Sequence, residues 1–547
     1  MSTKENSLRE QAISRTAAEA ILEQLDLYGV KRIYGVIGDA IFGLIDAIAK
    51  QTKIQFIAVK HESVAAMMAS AEAKCTGTLG VCVAQMGPGL ANLINGLCDA
   101  YLDGFPVLAI TGQAPLKNIG TSYKQYINQQ ELVQAITGYS QLIVHPDAVI
   151  ESLTKGIHTS IALDTVSHLS IPADVFTMPT VVPVNEPIKL TEMAPSIEKL
   201  QQAQAHMLSA KCPMILVGNS VRPLESQIQL LAERWGSGVV LGYGAVGIIS
   251  DRNPVNLGGL GEGGNPTLPP VFRQADVILS IGSSWWPEGH TPTNARIIQV
   301  QDKPLKLGNG MPIDCGLVGN MAEIVSNLTS GLQSHLINQN WINQIHQCKK
   351  NWSTQNEEEG NTLGYPLHPS RIIRAIERCT TSDTIIALDE GDHTLWFMRN
   401  FRAQCEQVLL SSNWRTMGFG LPAALAAKLT MPNKQVICVT GDGGLGMVLA
   451  DLLTAVRYQL KITIVVLNNN ALQMEVNKMV SKGLIPVGTE LTNPDYSKLA
   501  EACGWEAYKI QSEDELDKLL NTALKSPNPV LLEVPTAQAI YQDYQNS

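Results

Sequence analysis

The sequence predicts an α/β protein of three domains, each a mainly parallel sheet flanked by helices. Three observations carry this reading. Short apolar runs alternate with segments of helical period through most of the chain. One of them, Val436 to Val439, is an apolar run that reads as a buried strand. Two stretches that lack either period divide the 547 residues into blocks of ordinary domain size.

The elements follow in chain order. In the first block a helix, "RTAAEAILEQLDLYG" (15–29), leads into the strand run "KRIYGVIG" (31–38) and then Asp39. "LGVCVAQ" (79–85) and "PVLAITG" (106–112) are its further strands. The proline-rich "TMPTVVPVNEPIK" (177–189) reads as a linker. The middle block holds "PMILVGN" (213–219), "ADVILSIG" (275–282) and "ARIIQV" (295–300). A second linker is expected at "TQNEEEGNTLGYPLHPS" (354–370), which is polar and contains glycine. In the third block the helix "SRIIRAIERCT" leads into "DTIIALD" (383–389), followed by Glu390-Gly391-Asp392. "QVICVTG" (435–441), "ITIVVLN" (462–468) and "PVLLEVP" (529–535) complete it. The expected domains are 1–180, 190–340 and 366–540. The outer two share a plan of helix, strand and Gly/Asp turn, which looks like a duplicated domain.

Composition excludes several classes. The formal net charge is -10 and no Lys/Arg run interrupts it, which argues against a nucleic-acid surface. The ten cysteines are scattered, with no C-x-x-C pair, and read as reduced thiols. The polar start "MSTKENSLREQ" lacks the apolar core of a signal peptide. No apolar run approaches the roughly 20 residues that span a bilayer. A cytoplasmic protein with no membrane or nucleic-acid partner is expected.

The chemistry concentrates at "VICVTGDGGLGM" (436–447), where a buried strand runs straight into Gly441-Asp442-Gly443-Gly444. In parallel α/β sheets ligands sit beyond the carboxyl ends of the strands. Glycines let backbone N–H groups approach an anion, and a helix expected at about 445–458 points its positive end there. A carboxylate in a phosphate cradle repels the phosphate unless a cation lies between them. Oxygen ligands beside phosphate suggest Mg²⁺. Asn469 ends the next strand, 27 residues after Asp442, and offers an amide oxygen as second ligand. The plain alternative is an aspartate at a helix N-terminus followed later by a polar turn.

G-D-G followed by N-N, with a helix and a strand between, resembles the thiamine diphosphate (ThDP) binding motif. The resemblance implies that Asp442, Asn469 and the backbone carbonyl of Ala471 bind Mg²⁺. It implies that Gly441, Gly443, Gly444, Gly391 and His393 contact the diphosphate, with Met474 also beside the cofactor. "KHESVAAMMASAEAKCTG" (60–77) is similar to the segment bearing the essential glutamate of these enzymes, which makes it Glu62. "MGPGLANLINGLCDAYLDGFPVLAITGQ" (86–113) is similar to the loop and strand that follow it, and "TMGFGLPAALAAKL" (416–429) to the segment that wedges a bulky residue, here Met417, under the cofactor. The domains then become pyrimidine-binding, central Rossmann-like and diphosphate-binding. The likeness covers nearly the whole chain and is greatest to pyruvate oxidases, with acetolactate synthases next. "GTELTNPDYSKLAEACG" (488–504) is especially similar to the bacterial pyruvate:quinone oxidoreductase. It implies a homodimer or homotetramer with active sites between chains, acting on a 2-oxo acid.

The implied chemistry explains the residue types. A carboxylate at Glu62 serves as proton partner of the aminopyrimidine, and Met417 keeps the two cofactor rings folded together. Without the resemblance, Glu62 reads as a solvated helix start and Met417 as core packing.

Three departures leave the reaction open. Relatives line the substrate site with an aromatic-Gln-Glu run, where this chain has Lys124-Gln125-Tyr126. This is either a surface-turned loop or a site reshaped for another acceptor or a more anionic substrate. Met474 stands where the quinone-dependent oxidase has an aromatic, as in acetolactate synthases. The membrane-binding tail of that oxidase has no counterpart in "TAQAIYQDYQNS". The middle block follows the architecture that holds FAD, but Trp285 and Trp286 could fill the flavin space, so FAD stays an open alternative. The leading expectation is ThDP- and Mg²⁺-dependent decarboxylation of a 2-oxo acid, pyruvate by default, with transfer of the acyl carbanion to an acceptor. The alternatives are an FAD-dependent pyruvate oxidase and a catalytically silent regulatory relative.

Overall fold

A computed structural model of the chain describes residues 15–188, 193–283, 286–287, 289–290, 292–310, 312–333 and 335–541. They form two compact units. The first takes its described residues from 15–188, 411–432 and 448–460, the second from 193–410, 433–447 and 461–541.

The first unit is built on one sheet of strands β1 (Arg32–Gly35), β2 (Gln55–Ala58), β3 (Gly80–Ala84), β4 (Val107–Gln113), β5 (Tyr139–Leu142) and β6 (Val166–Pro172). Its order is β2-β1-β3-β4-β6-β5, parallel throughout. Every residue of β3, β4 and β6 is buried, as expected of strands with helices on both faces. The helix Ala17–Leu27 starts on a capping box: Thr16 Oγ1 accepts from the Glu19 N–H at 3.2 Å and Glu19 Oε2 from the Thr16 N–H at 2.7 Å. The helix Glu62–Thr76 stops at Gly77, whose φ of 72° suits glycine. The helix Pro88–Asp103 lies hard against it. A Cβ at Gly96 would sit 2.4 Å from the Met67 backbone nitrogen, so only glycine allows this approach.

The second unit holds two sheets. One comprises β7 (Pro213–Val217), β8 (Gly238–Leu241), β9 (Asn256–Gly259), β10 (Val277–Ile281), β11 (Arg296–Gln301) and β12 (Cys315–Val318), in the order β9-β8-β7-β10-β11-β12. Strand order reverses between β7 and β10, the crevice where such sheets bind ligands. The other comprises β13 (Ile385–Leu388), β14 (Gln407–Leu409), β15 (Val436–Gly441), β16 (Thr463–Asn468), β17 (Glu506–Lys509) and β18 (Val530–Pro535), in the order β14-β13-β15-β16-β18-β17. Strand for strand this repeats the order of the first sheet, so the shared plan of the outer blocks extends to topology.

Two sequence expectations are corrected. The stretch 354–370 is not all linker: its first seven residues finish the helix Gln339–Gly360. Trp341, Ile345, Cys348, Trp352 and Asn356 form a buried stripe at helical spacing, which the polar tail hid. Glu359, near its end, is bonded by the Arg399 guanidinium at 2.5 and 2.8 Å. Nor does one helix run from 445 to 458. A single turn, Asp442–Gly446, is followed by the 3₁₀ turn Leu449–Asp451 and the helix Leu452–Arg457. Gly443, Gly444 and Gly446 are poor helix formers. The buried Asp451 carboxylate instead accepts from the Thr454 hydroxyl at 2.7 Å and the Lys60 N–H at 3.0 Å. Trp285 and part of the 177–189 linker lie outside the described residues. No two cysteines form a disulfide. Among the described residues no helix is long and apolar enough to cross a membrane.

Candidate functional site

In the second unit β13, β15 and β16 are neighbours, so Asp389, Asp442 and Asn468 come off adjacent strand ends. Asp442 is the first residue after β15 and is buried. Its Oδ1 accepts from the Gly443 N–H at 3.0 Å and its Oδ2 from Asn493 Nδ2 at 2.7 Å. The Tyr496 hydroxyl donates to its backbone carbonyl at 2.8 Å. Burial pushes the Asp442 carboxyl above the usual range, and the Asn493 and backbone donors pull it back. No Lys, Arg or His pairs with it among the described residues. A buried carboxylate without a counter-charge fits a bound cation.

Asn493 gathers more of this edge. Its Nδ2 lies 3.1 Å from Asn468 Oδ1 and 3.2 Å from Asn470 Oδ1. Asn469 instead turns back on its own chain, its Oδ1 accepting from the Ala471 N–H at 3.1 Å. Ala471 is buried and bridges to Glu490 across an antiparallel contact. The predicted donors Asp442, Asn469 and Ala471 therefore lie on two neighbouring strand ends, and one carboxylate with amide and carbonyl oxygens is a hard-oxygen set suited to Mg²⁺. Among the described residues no group of three His, Cys, Asp or Glu forms a metal cluster.

The glycines around Asp442 are closely overlaid. A Cβ at Gly444 would lie 2.4 Å from Asp389 Oδ2, and one at Gly441 3.1 Å from His393 Nδ1. A Cβ at Gly391, whose φ is 156°, would meet the His393 ring at 2.9 Å. His393 is buried with Nε2 3.1 Å from the Asp389 carbonyl, and burial lowers its pKa to about 4. It is neutral at pH 7, with Nε2–H donating and the Nδ1 lone pair toward the two glycines. Its neighbour Asp392 is buried between Trp396 Nε1 at 2.9 Å and Asn477 Nδ2 at 3.1 Å, and burial raises it to about 7. Met474 belongs to the apolar core that includes Leu467 and Trp396.

The first unit carries the other predicted residues. Glu62 opens its helix, with His61 as cap: His61 Nδ1 accepts from the Ser63 N–H at 3.2 Å. Glu62 Oε2 accepts from Asn92 Nδ2 at 3.0 Å. Met417 is half-buried and follows Thr416, whose Oγ1 accepts from Asn95 Nδ2 at 3.0 Å. Lys124 is exposed and pairs with Asp39 at 3.0 Å. Gln85 Nε2 donates to Asp39 at 2.6 Å and to Gln125 Oε1 at 3.0 Å, tying Lys124, Gln125 and Asp39 into one cluster. Gln125 takes a φ of 59°, strained for its type, and its carbonyl would lie 2.4 Å from a Cβ at Gly87.

Sequence reasoning missed Asn92, Asn95, Asn493 and Tyr496. Asn493 and Tyr496 sit in the "TNPDY" run (492–496), whose sequence likeness says nothing of which residues it contacts. A lone asparagine on a helix carries no pattern of its own.

Beyond the carboxyl ends of β7, β11 and β12 a cavity of about 430 Å³ is lined by Met193, Ser220, Leu224, Asp302, Asn320 and Met321. Asp302 pairs with Lys306 at 3.1 Å. Trp286 packs on a core with Leu216 and Ile278 and donates from Nε1 to the Asn309 carbonyl at 2.9 Å.

Comparison with known proteins agrees with this layout. Three family profiles match: thiamine pyrophosphate enzyme, N-terminal TPP binding domain, over residues 15–134; central domain, over 200–328; and C-terminal TPP binding domain, over 389–534. A Bacillus subtilis (strain 168) protein, YdaP, provisionally described as thiamine pyrophosphate-containing, is 32% identical across 95% of this chain and 91% of its own. A pyruvate oxidase of Lactiplantibacillus plantarum is 28% identical across 94% of this chain and 88% of its own. An acetolactate synthase large subunit of Haemophilus influenzae is 27% identical across 96% of each.

Proposed function

Because the chain belongs to the thiamine pyrophosphate enzyme family, we propose that it uses ThDP and Mg²⁺ to decarboxylate a 2-oxo acid, pyruvate by default, and passes the acyl unit to an acceptor. The observation that carries this is Asp442, a buried carboxylate at the carboxyl end of β15 that no Lys, Arg or His pairs with among the described residues, flanked in sequence by Gly441, Gly443 and Gly444.

In this reading Asp442, Asn469 and the Ala471 carbonyl hold the Mg²⁺. Gly391, Gly441, Gly443 and Gly444 give backbone close approach to the diphosphate, and the neutral His393 ring shapes the cradle beside them. When bound, ThDP supplies the electron sink that lets CO₂ leave. Glu62 exchanges a proton with N1′ of the aminopyrimidine. Met417 would pack against the cofactor and help hold its two rings together. Gln125 and Lys124 meet the substrate, and the Asp39 partner of Lys124 moderates its charge. The protein acts as a homodimer or homotetramer, in the cytoplasm.

A second reading, an FAD-dependent pyruvate oxidase, is favoured by the cavity beyond the carboxyl ends of the middle sheet's strands. One experiment addresses both. Protein loaded with ThDP and Mg²⁺ is given a panel of 2-oxo acids and the products are identified by mass spectrometry, after an absorption spectrum of the gently purified protein. Carboligation products without flavin bands support the first reading. Flavin bands that bleach anaerobically with pyruvate and return with oxygen or a quinone support the second. No turnover of any 2-oxo acid overturns both.

A further inference from the structure

We propose that Asn92 is a positioning residue for the Glu62 carboxylate. It pins one oxygen so that the other stays aimed at its proton partner. This rests on the reading of Glu62 as that partner.

The two Glu62 oxygens are unlike. Oε2 takes the hydrogen bond from Asn92 Nδ2 at 3.0 Å. Oε1 has no hydrogen bond from the protein among the described residues. One lone-pair set is therefore committed to holding the side chain, and the other remains for exchange. A glutamate held only at its Cα would sample several rotamers, and ordering it would oppose each turnover.

The backbone under Glu62 is fixed independently. The Ala58 N–H donates to the Tyr458 hydroxyl at 2.7 Å and the Lys60 N–H to Asp451 Oδ1 at 3.0 Å. His61 caps the helix. What remains mobile is the side chain, and Asn92 is its one protein partner among the described residues.

Asn92 is itself held at a set distance. Its helix, Pro88–Asp103, touches the Glu62 helix backbone to backbone at Gly96. No intervening side chain can adjust the gap, so the Asn92–Glu62 spacing follows from the helix pair. Asn95, three residues on and so on the same face, bonds Thr416 Oγ1 at 3.0 Å and accepts from Trp414 Nε1 at 2.7 Å. At the end of that helix Asp103 accepts from the Ser412 and Asn413 N–H groups at 2.9 and 2.7 Å. One helix thus sets both the Glu62 carboxylate and the segment that carries Met417.

The test compares wild type with Asn92→Ala, Asn92→Asp and Asn92→His, each loaded with ThDP and Mg²⁺. The readouts are proton–deuteron exchange at ThDP C2 by acid-quench NMR, ThDP affinity, kcat and KM, and thermal unfolding. Asn92→Ala should slow exchange and kcat by about 10- to 100-fold, the scale expected when a reacting group is misplaced by about 1 Å, while ThDP affinity and KM change by less than about threefold. Asn92→Asp, which cannot donate and places like charges together, should lose more. Asn92→His, whose Nδ1–H sits where the amide N–H did, should recover most of the rate. The proposal is overturned by exchange within about twofold of wild type in Asn92→Ala. It is also overturned if the rate falls only in step with cofactor affinity or fold, without recovery in Asn92→His. Glu62→Gln separates the two levels: if it exchanges like wild type, the reading of Glu62 fails; if it is inert while Asn92→Ala is normal, only the role of Asn92 fails.

Discussion

Replacing Asp103 with alanine tests how the segment ahead of Met417 is held. The Asp103 carboxylate is fully buried and serves four donors. Oδ2 accepts from Lys74 Nζ at 2.7 Å, the Ser412 N–H at 2.9 Å and the Ser412 hydroxyl at 3.0 Å. Oδ1 accepts from the Asn413 N–H at 2.7 Å. Removing one partner of a buried ion pair costs about 3–5 kcal/mol. Lys74 keeps a second carboxylate, Asp99, at 2.7 Å, so the lower end, about 3 kcal/mol, applies. The Ser412 and Asn413 amides lose their acceptor as well, and an unsatisfied buried N–H costs about 1–3 kcal/mol, whose upper end matches this figure. At 1.4 kcal/mol per tenfold, Asp103→Ala should speed their hydrogen exchange by about 100-fold. Exchange mass spectrometry on peptides spanning 411–419 reads this directly, with β15 in the other unit as the control that should not move. Acceleration below about threefold would show that the segment is held by something else.

Other outcomes follow from the same geometry. Asp442→Ala should weaken Mg²⁺-dependent ThDP binding by about 10- to 100-fold, read by titration calorimetry; unchanged affinity removes Asp442 from the metal site. Lys124→Phe should leave the melting midpoint unchanged, because the pair with Asp39 is exposed, yet change kcat/KM ratios across a 2-oxo acid panel by about tenfold; flat ratios make Lys124 a surface residue. Asp392 and His393 should impose opposite pH slopes. Asp392, raised to about 7, binds more protons folded than unfolded, so its contribution falls as pH rises from about 4 to 7. His393, lowered to about 4, binds fewer protons folded, so its contribution rises between about 4 and 6.5. Asp392→Asn should therefore steepen the gain in stability from pH 4 to 6.5, and His393→Gln should reverse it; parallel profiles would show that neither titration is coupled to folding.

Much of the fold was legible because parallel strands are apolar on both faces. All ten strand runs read from sequence are strands in the structure, with ends shifted by up to three residues. Strands such as Tyr139–Leu142 and Glu506–Lys509 escaped because they sit at sheet edges and are only partly buried, so they lack a continuous apolar run. The last seven residues of the helix Gln339–Gly360 read as linker because its buried stripe ends in an acidic turn whose partner, Arg399, is distant in sequence. At the site, Asp442 was legible because a carboxylate among glycines after a buried strand is costly without a purpose. The polar partners were not. Asn493 reaches Asp442 from 51 residues away and Asn92 reaches Glu62 from 30, and neither spacing repeats any local period. The strained Gln125 was noticed for its place in a run, while its φ of 59° belongs to the packing of Gly87 and Gln85 beneath it.

In the proposed function Glu62 activates ThDP that Asp442 helps to hold. Proton–deuteron exchange at C2 of the cofactor, quenched in acid and followed by NMR, tests it with no assumption about substrate or acceptor. Wild type with ThDP and Mg²⁺ should exchange orders of magnitude faster than free ThDP. Glu62→Gln should bind the cofactor yet exchange no faster than the free compound, because a neutral amide cannot take the N1′ proton interaction. Equal, rapid exchange in wild type and Glu62→Gln, or no acceleration in fully loaded wild type, would contradict it.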